Sequence, residues 1–298
     1  MEPETVSRVS PGSALYYLDP GAFGPATYCS VYVYDTPRPA VIDTGLGTNY
    51  QAILDALEAL GIDCGELAII PTHVHLDHAG GAGYLAEACP GAEVLVHEAG
   101  ASHLVDPARL WAGTKAAVGE QIQYYTEPKP VPEARIVELG DGDRIDLGDR
   151  ELSVHHAPGH AFHQAVFQDE ATGGVFTADA AGIHTPGVDG VRPTSPPPGF
   201  DLTGCLADID LIQELDPTAL YYAHFGPAEP ADLLAEYATV LESWVESVAD
   251  KRRELGADDA VVEYFVSRTD TVEAWGPVKA RAEVAMNVRG VLEYLDGE

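Results

Sequence analysis

Lysine is nearly missing from this chain: Lys115, Lys129, Lys251 and Lys279 are its only four in 298 residues. With arginine the basic total is 16, against 48 acidic residues, for a formal net charge of −32. The excess is spread along the whole chain, and 46% of the residues are hydrophobic, so it does not spell a disordered acidic tail. Such an acid-rich, lysine-poor composition is expected of proteins from salt-loving organisms, where molar salt screens self-repulsion. It opposes binding to a phosphate backbone, so no nucleic-acid partner is expected. The basic cluster Lys251-Arg252-Arg253 reads as a solvated helix face.

Long apolar runs are missing too. None approaches the roughly 18 residues of a membrane span, so no membrane partner is expected. The start, Met1-Glu2-Pro3-Glu4, has no basic stretch leading into an apolar one, and a cytoplasmic protein is expected. The four cysteines, Cys29, Cys64, Cys89 and Cys205, form no C-x-x-C pair and read as free thiols in a reducing compartment.

Short apolar stretches predict strands over 14–19, 28–35, 40–43, 67–70, 93–97, 145–147, 152–156, 164–168, 174–177 and 220–222. Ile53, Leu54, Leu57 and Leu60 have helical spacing and predict a helix over 49–60, with others over 81–88 and 202–215. Residues 99–130 break the rhythm, with Trp111, Tyr124 and Tyr125 between helix-like pieces, and read as an insertion. Residues 191–200 form a proline-rich loop. Past Pro230 the period is helical, with helices near 230–255, 258–268 and 275–295. The pattern predicts an α/β layered catalytic domain over 1–228 and a C-terminal helical region over 229–298. That region reads as a structural cover or as the surface of a homodimer.

The decisive segment is Pro71-Thr72-His73-Val74-His75-Leu76-Asp77-His78-Ala79-Gly80, after a short apolar strand. Three imidazoles and a carboxylate lie within six residues. His73 and His75, two apart in extended chain, point the same way. Asp77 and His78 fall on the following turn and face a second point. The spacing therefore splits into donors for two adjacent cations, of which zinc is the first expectation, with iron or manganese accepted by the same ligand types. Three more donors follow predicted strands: His160 in Pro158-Gly159-His160, Asp179 in Thr177-Ala178-Asp179, and His224 in Tyr222-Ala223-His224. Strand ends hold side chains rigidly and can converge on one sheet edge.

This ordered set resembles the signature of the metallo-β-lactamase superfamily over roughly residues 14–228. The resemblance implies an αββα sandwich with the site at one edge of two facing sheets. It implies that His73, His75 and His160 bind one ion, that Asp77, His78 and His224 bind another, and that Asp179 bridges them. It also matches Asp43, in Val41-Ile42-Asp43-Thr44-Gly45, to an early aspartate that orients a ligand. The bridging aspartate is missing from metallo-β-lactamases proper but kept by glyoxalase II, lactonases and phosphodiesterase members. The phrases around His160, Asp179 and His224, together with Pro196-Pro197-Pro198-Gly199-Phe200-Asp201, look like a glyoxalase-II-like subfamily, which brings no substrate with it.

The implied chemistry is hydrolysis of a small thioester, ester or lactone by a hydroxide held between two ions. Asp77 or Asp179 would hold the nucleophile's proton. His163, three residues after His160, is a candidate for proton transfer or substrate contact, and His184 a weaker one. His97, His103, His155 and His156 read as surface or strand residues, while Trp111, Tyr124, Tyr125 and Tyr222 are candidates for an apolar pocket. The alternatives are a phosphodiesterase or nuclease, and a mononuclear iron persulfide dioxygenase using His73, His160 and Asp179.

Overall fold

The alternation of side chains along the strands decides the layering. The computed structural model describes residues 6–24 and 27–297. Its first half contains β1 (Ser7–Arg8), β2 (Leu15–Leu18), β3 (Val31–Tyr34), β4 (Ala40–Ile42), α1 (Tyr50–Leu60), β5 (Ala68–Ile70), α2 (Leu76–Ala79) and α3 (Ala82–Ala88). There follow β6 (Glu93–His97), α4 (Glu98–Val105), α5 (Ala108–Ala117) and β7 (Ile136–Leu139). Among the described residues, β1 to β7 form one sheet in sequence order. In β3 to β6, Val33, Val41, Ile69 and Val94 turn outward onto α1, α3 and α4. Tyr32, Ile42, Ile70 and Leu95, one residue away, turn inward.

The second half contains β8 (Arg144–Asp146), β9 (Glu151–His156), β10 (Ala165–Asp169), β11 (Gly174–Ala178), α6 (Leu202–Glu214), β12 (Ala219–Tyr222) and β13 (Gly226–Ala228). These strands form a sheet of order β13-β12-β11-β10-β9-β8. Val154, Phe167, Phe176 and Tyr221 turn inward to meet the first sheet. Val166, Val175 and Leu220 turn outward onto α6 and the helices after it: α7 (Leu233–Leu255), α8 (Asp258–Val266), α9 (Val272–Trp275) and α10 (Pro277–Gly297). Leu241 of α7, Val261 of α8 and Val291 of α10 share that outer cluster with Ile209 of α6. The result is the αββα arrangement of the metallo-β-lactamase fold with a long C-terminal helical region. No helix among the described residues is long and apolar enough to cross a membrane.

Three strands escaped the periodicity. β1, β7 and β13 are edge strands of two to four residues, defined by what they pair with more than by their own pattern. The stretch expected as a strand over 28–35 begins only at Val31, because the Ser30 amide donates to the Ala223 carbonyl at 2.8 Å and ties this segment to the loop after β12. The helix expected over 275–295 is α10, which starts two residues later, after the short α9. The two break at Gly276, whose φ of 76° lies in the left-handed region, and Pro277 starts the second. The expected insertion is α4, α5 and a 3-10 turn over Gly119–Tyr124.

Strand direction brings the key loops together. β4, β5 and β6 are parallel neighbours, so the segments that follow β4 and β5 leave from the same edge. β11 and β12 are parallel as well. β9 and β11 both run antiparallel to β10, so β9 ends at the edge where β11 and β12 end. The Ala165 amide donates to the Thr72 carbonyl at 2.9 Å and joins the two sheets beside that edge.

Candidate metal centre

Seven side chains meet at this edge. His73, His75 and His160 bring ligand atoms within 4.8 Å of one another, and so do Asp77, His78 and His224. In the first set His75 Nδ1 lies 3.0 Å from His73 Nε2 and 3.1 Å from His160 Nε2. In the second, His78 Nε2 and His224 Nε2 each lie 3.9 Å from Asp77 Oδ2. Asp179 spans both: Oδ2 is 3.3 Å from His160 Nε2, while Oδ1 is 3.3 Å from His224 Nε2 and 3.5 Å from His78 Nε2. One carboxylate thus offers an oxygen to each set.

The surrounding chain fixes which nitrogens face inward. His78 Nδ1 donates to Asp43 Oδ2 at 2.9 Å, and His224 Nδ1 donates to the Tyr28 carbonyl at 3.1 Å. Both Nε2 lone pairs are left for the cluster. His73 Nδ1 lies 3.2 Å from the Thr72 hydroxyl, which itself donates to Asp43 Oδ1 at 2.9 Å. Asp43 therefore braces one imidazole of each set. It adopts φ of 59°, and Ala178, before Asp179, adopts 48°; both lie where L-residues are strained. The ladder between β11 and β12 also shifts register at Phe176 to Ala178, which re-aims the chain just before Asp179. Gly159 is required beside His160, because a Cβ there would lie 2.1 Å from the Cys205 amide nitrogen. Asp208, buried on α6, accepts the Gly159 amide at 2.7 Å and holds that turn, and burial pushes its carboxyl up to about 7.

The two sets differ electrostatically. Burial, then the neighbouring imidazoles, drives His73 well down, and burial and His160 bring His75 to about 3. Burial likewise lowers His160. For His78 and His224 burial pulls down, but facing carboxylates, Asp179 first, raise both. Burial alone would raise Asp179; His224, His160 and His78 hold it well below the usual carboxylate range. His78 Nε2 and Asp179 Oδ1 are buried with no hydrogen-bond partner. Unpartnered lone pairs aimed at a shared point, among imidazole and carboxylate donors, fit divalent cations. The donor set is that of a dinuclear centre.

The remaining sequence candidates divide. His163 is buried beside the first set, its ring centroid 5.5 Å from that of His75, and burial takes it down to about 2. His184 turns its half-buried ring toward Tyr222, while its amide donates to the His224 carbonyl at 2.5 Å, so its backbone does the bracing. A cavity of about 240 Å³ opens on the donors. Of the four aromatics expected there, Tyr125 lines it. Tyr222 is buried in the outer core of the second sheet, Tyr124 packs against the cluster around Phe23, and Trp111 faces Lys115.

Sequence reasoning missed much of the cavity wall. Lys279 and Glu283 of α10 line it, both buried, with Nζ 2.6 Å from Glu283 Oε2 and 2.9 Å from Gln121 Oε1. The ammonium also lies 4.0 Å from the ring centroids of Phe23 and Tyr28. Asn287 continues the stripe, its Nδ2 reaching Glu283 Oε1 at 3.3 Å and its Oδ1 accepting from the Ser195 amide at 2.7 Å. Polar residues at 279, 283 and 287, every fourth position of an otherwise amphipathic helix, were the available signal. His103 and Arg109 also line the cavity, and His103, expected as a surface residue, is half-buried there.

A family model described as Metallo-beta-lactamase superfamily matches residues 24–224. Acyl-coenzyme A thioesterase MBLAC2 of Gallus gallus is 30% identical over 185 residues, covering 56% of this chain and 63% of that protein. Metallo-beta-lactamase fold-containing protein ST1585 of Sulfurisphaera tokodaii is 29% identical over 167 residues, covering 54% and 61%. The matches span less than two thirds of the length of these curated relatives. Among solved structures, ST1585 from Sulfolobus tokodaii aligns with a TM-score of 0.69 at 22% identity, covering 94% of this chain and 99% of that one. The metallo-beta-lactamase family protein TTHA1429 from Thermus thermophilus aligns at 0.61 and 23%, covering 97% and 95%. At such identities these structures establish the fold.

Proposed function

The chain belongs to the metallo-β-lactamase superfamily, and from that premise we propose that it is a dinuclear metallohydrolase that cleaves a small acyl thioester. Esters and lactones are further substrates of the same chemistry. The observation that carries this is Asp179, whose two oxygens each face a different donor set. The thioesterase name of the Gallus gallus relative supports the choice of bond. The kept bridge supports kinship with glyoxalase-II-like hydrolases over β-lactam cleavage. Zinc is the first expectation for both positions, with iron or manganese next.

When bound, two divalent cations supply Lewis acidity and acidify a water toward neutral pH. The chain's own residues do the rest. Asp77, whose side chain is the more exposed of the two cluster carboxylates at 21%, faces the cavity and is the group to hold the attacking water's proton. Asp179 keeps the two donor sets in register. His163, neutral beside His75, contacts the substrate from the cavity wall. The apolar wall around Leu76, Leu110 and Met286 excludes water from the acyl group.

The rival readings lack such support. In the C-terminal basic cluster, Lys251 pairs with Glu254, Arg252 with Asp258 and Asp296, and Arg253 with Asp250, which leaves little to hold a nucleic acid. We regard the partner as a small molecule. A mononuclear dioxygenase can retain His78 and His224 without using them, so its demand for iron and oxygen separates it from the hydrolase. The test is to load the protein with zinc or manganese and assay butyryl thioesters under strict anaerobiosis. Turnover is expected without oxygen. Activity only in the iron form, with stoichiometric oxygen uptake, would replace this reading with the dioxygenase.

A further inference from the structure

A track of aromatic and cationic groups leads from the donor cluster to the rim of the cavity. His163 stands beside His75, and the Phe162 ring lies 4.6 Å from the His163 ring. His103 lies 6.1 Å from His163 and 6.2 Å from Phe162. Arg109 of α5 lines the same cavity as His103, and burial, then that guanidinium, lowers the imidazole. Two features here are open to a ligand. Phe162 is 56% exposed, against an interior that covers nearly every other large apolar side chain described. Arg109 is exposed at the cavity mouth and, like Arg281 and Arg289, has no carboxylate partner among the described residues, so its charge is open to a ligand there. The other cation lining the cavity, Lys279, is already tied to Glu283. So the rim presents one guanidinium without a carboxylate partner, one half-buried imidazole and one open aromatic face.

Resting on the thioesterase reading, we propose that this rim seats the leaving group, and that the substrate is an acyl thioester of a nucleotide-bearing, phosphorylated thiol. A phosphate or pyrophosphate takes the guanidinium, whose planar fork suits it. His103 adds an imidazole N–H donor, and Phe162 offers a stacking face to the attached base. The acyl carbon then lies at the donor cluster. There water adds its oxygen to the acyl carbon as the C–S bond breaks. Its two hydrogens end on the thiol and on the carboxylic acid, which then ionises.

The test compares butyryl-coenzyme A with the butyryl thioester of N-acetylcysteamine, which lacks phosphates and base. The wild-type protein should prefer the coenzyme A ester in kcat/KM, and Arg109→Ala should lower that preference about tenfold, mostly through KM. Arg109→Lys should restore part of it, since it keeps the charge without the fork. An unchanged ratio in Arg109→Ala would overturn the proposal and leave the thioesterase reading standing. Calorimetry with coenzyme A and with pantetheine separates the two claims. If neither ester is cleaved, the thioesterase reading falls, and the anchor stands only if Arg109→Ala weakens coenzyme A binding about tenfold. Equal binding in both proteins would overturn it as well.

Discussion

The donor cluster and the wall line the same cavity, yet they are built on different terms. Each donor is fixed by a strand end, a braced imidazole or a strained backbone residue, and none is free to be another residue type. The wall comes from the adjoining α4 and α5, the proline-rich loop and α10, three stretches far apart in sequence that need supply only shape and polarity. A metal site demands identity at a position. A pocket demands volume, which many sequences can supply.

Removing a member of the cluster should therefore do the most harm. Asp179→Ala is expected to cut turnover by two or more orders of magnitude, of the size seen when a charge-stabilising group is lost. Its far-ultraviolet circular dichroism should stay native and its metal content should fall. Near-normal turnover would erase the distinction between cluster and wall.

Within the cluster the two sets should titrate differently. Burial and His160 hold His75 at about 3, so the first set is already neutral at pH 7 and gives up no proton on binding a cation. His78 and His224, raised by Asp179 against the pull of burial, must release protons first. Affinity at the second position should therefore rise from pH 6 to pH 8 while the first stays flatter. Zinc competition titrations against a chelator would show two slopes. A common slope would mean the sets are electrostatically alike.

How legible each region was follows from the same contrast. His-x-His-x-Asp-His, Pro-Gly-His and the strand-end Asp179 and His224 were readable because coordination tolerates no drift in spacing. The layers were readable where a strand alternates between two cores, as Val31 to Tyr34 do. Edge strands such as Gly226–Ala228 were not, since pairing defines them. His103 and Arg109 stayed hidden because nothing local distinguishes a polar side chain on a cavity from one on the surface, whereas Lys279 left a trace in the four-residue spacing it shares with Glu283 and Asn287.

The wall, by contrast, should fail through stability. Lys279→Met leaves Glu283 buried without its cation and should cost about 3–5 kcal/mol, read from urea unfolding. The double variant Lys279→Met/Glu283→Leu should recover much of that loss. If the single variant costs nothing, the pair is solvated from the cavity and is no part of the wall's support.

The smallest effect belongs to neither region. At a net charge of −32 the surface repels itself, and salt should raise the melting temperature by a few degrees between about 0.1 M and about 2 M sodium chloride. A flat curve would remove the case for a salt-adapted surface.

Each donor triplet draws on both sheets: His73 and His75 from the first with His160 from the second, Asp77 and His78 from the first with His224 from the second. An ion held by either triplet is then a staple between the halves of the sandwich, closing loops of about 85 and 146 residues that only the folded chain can close. Since the unfolded chain gathers no such triplet, a free cation at a hundred times its dissociation constant would add about 2.7 kcal/mol to the fold. Chelation should therefore loosen the sandwich along its seam, where the sheets face each other, before it disturbs either sheet alone.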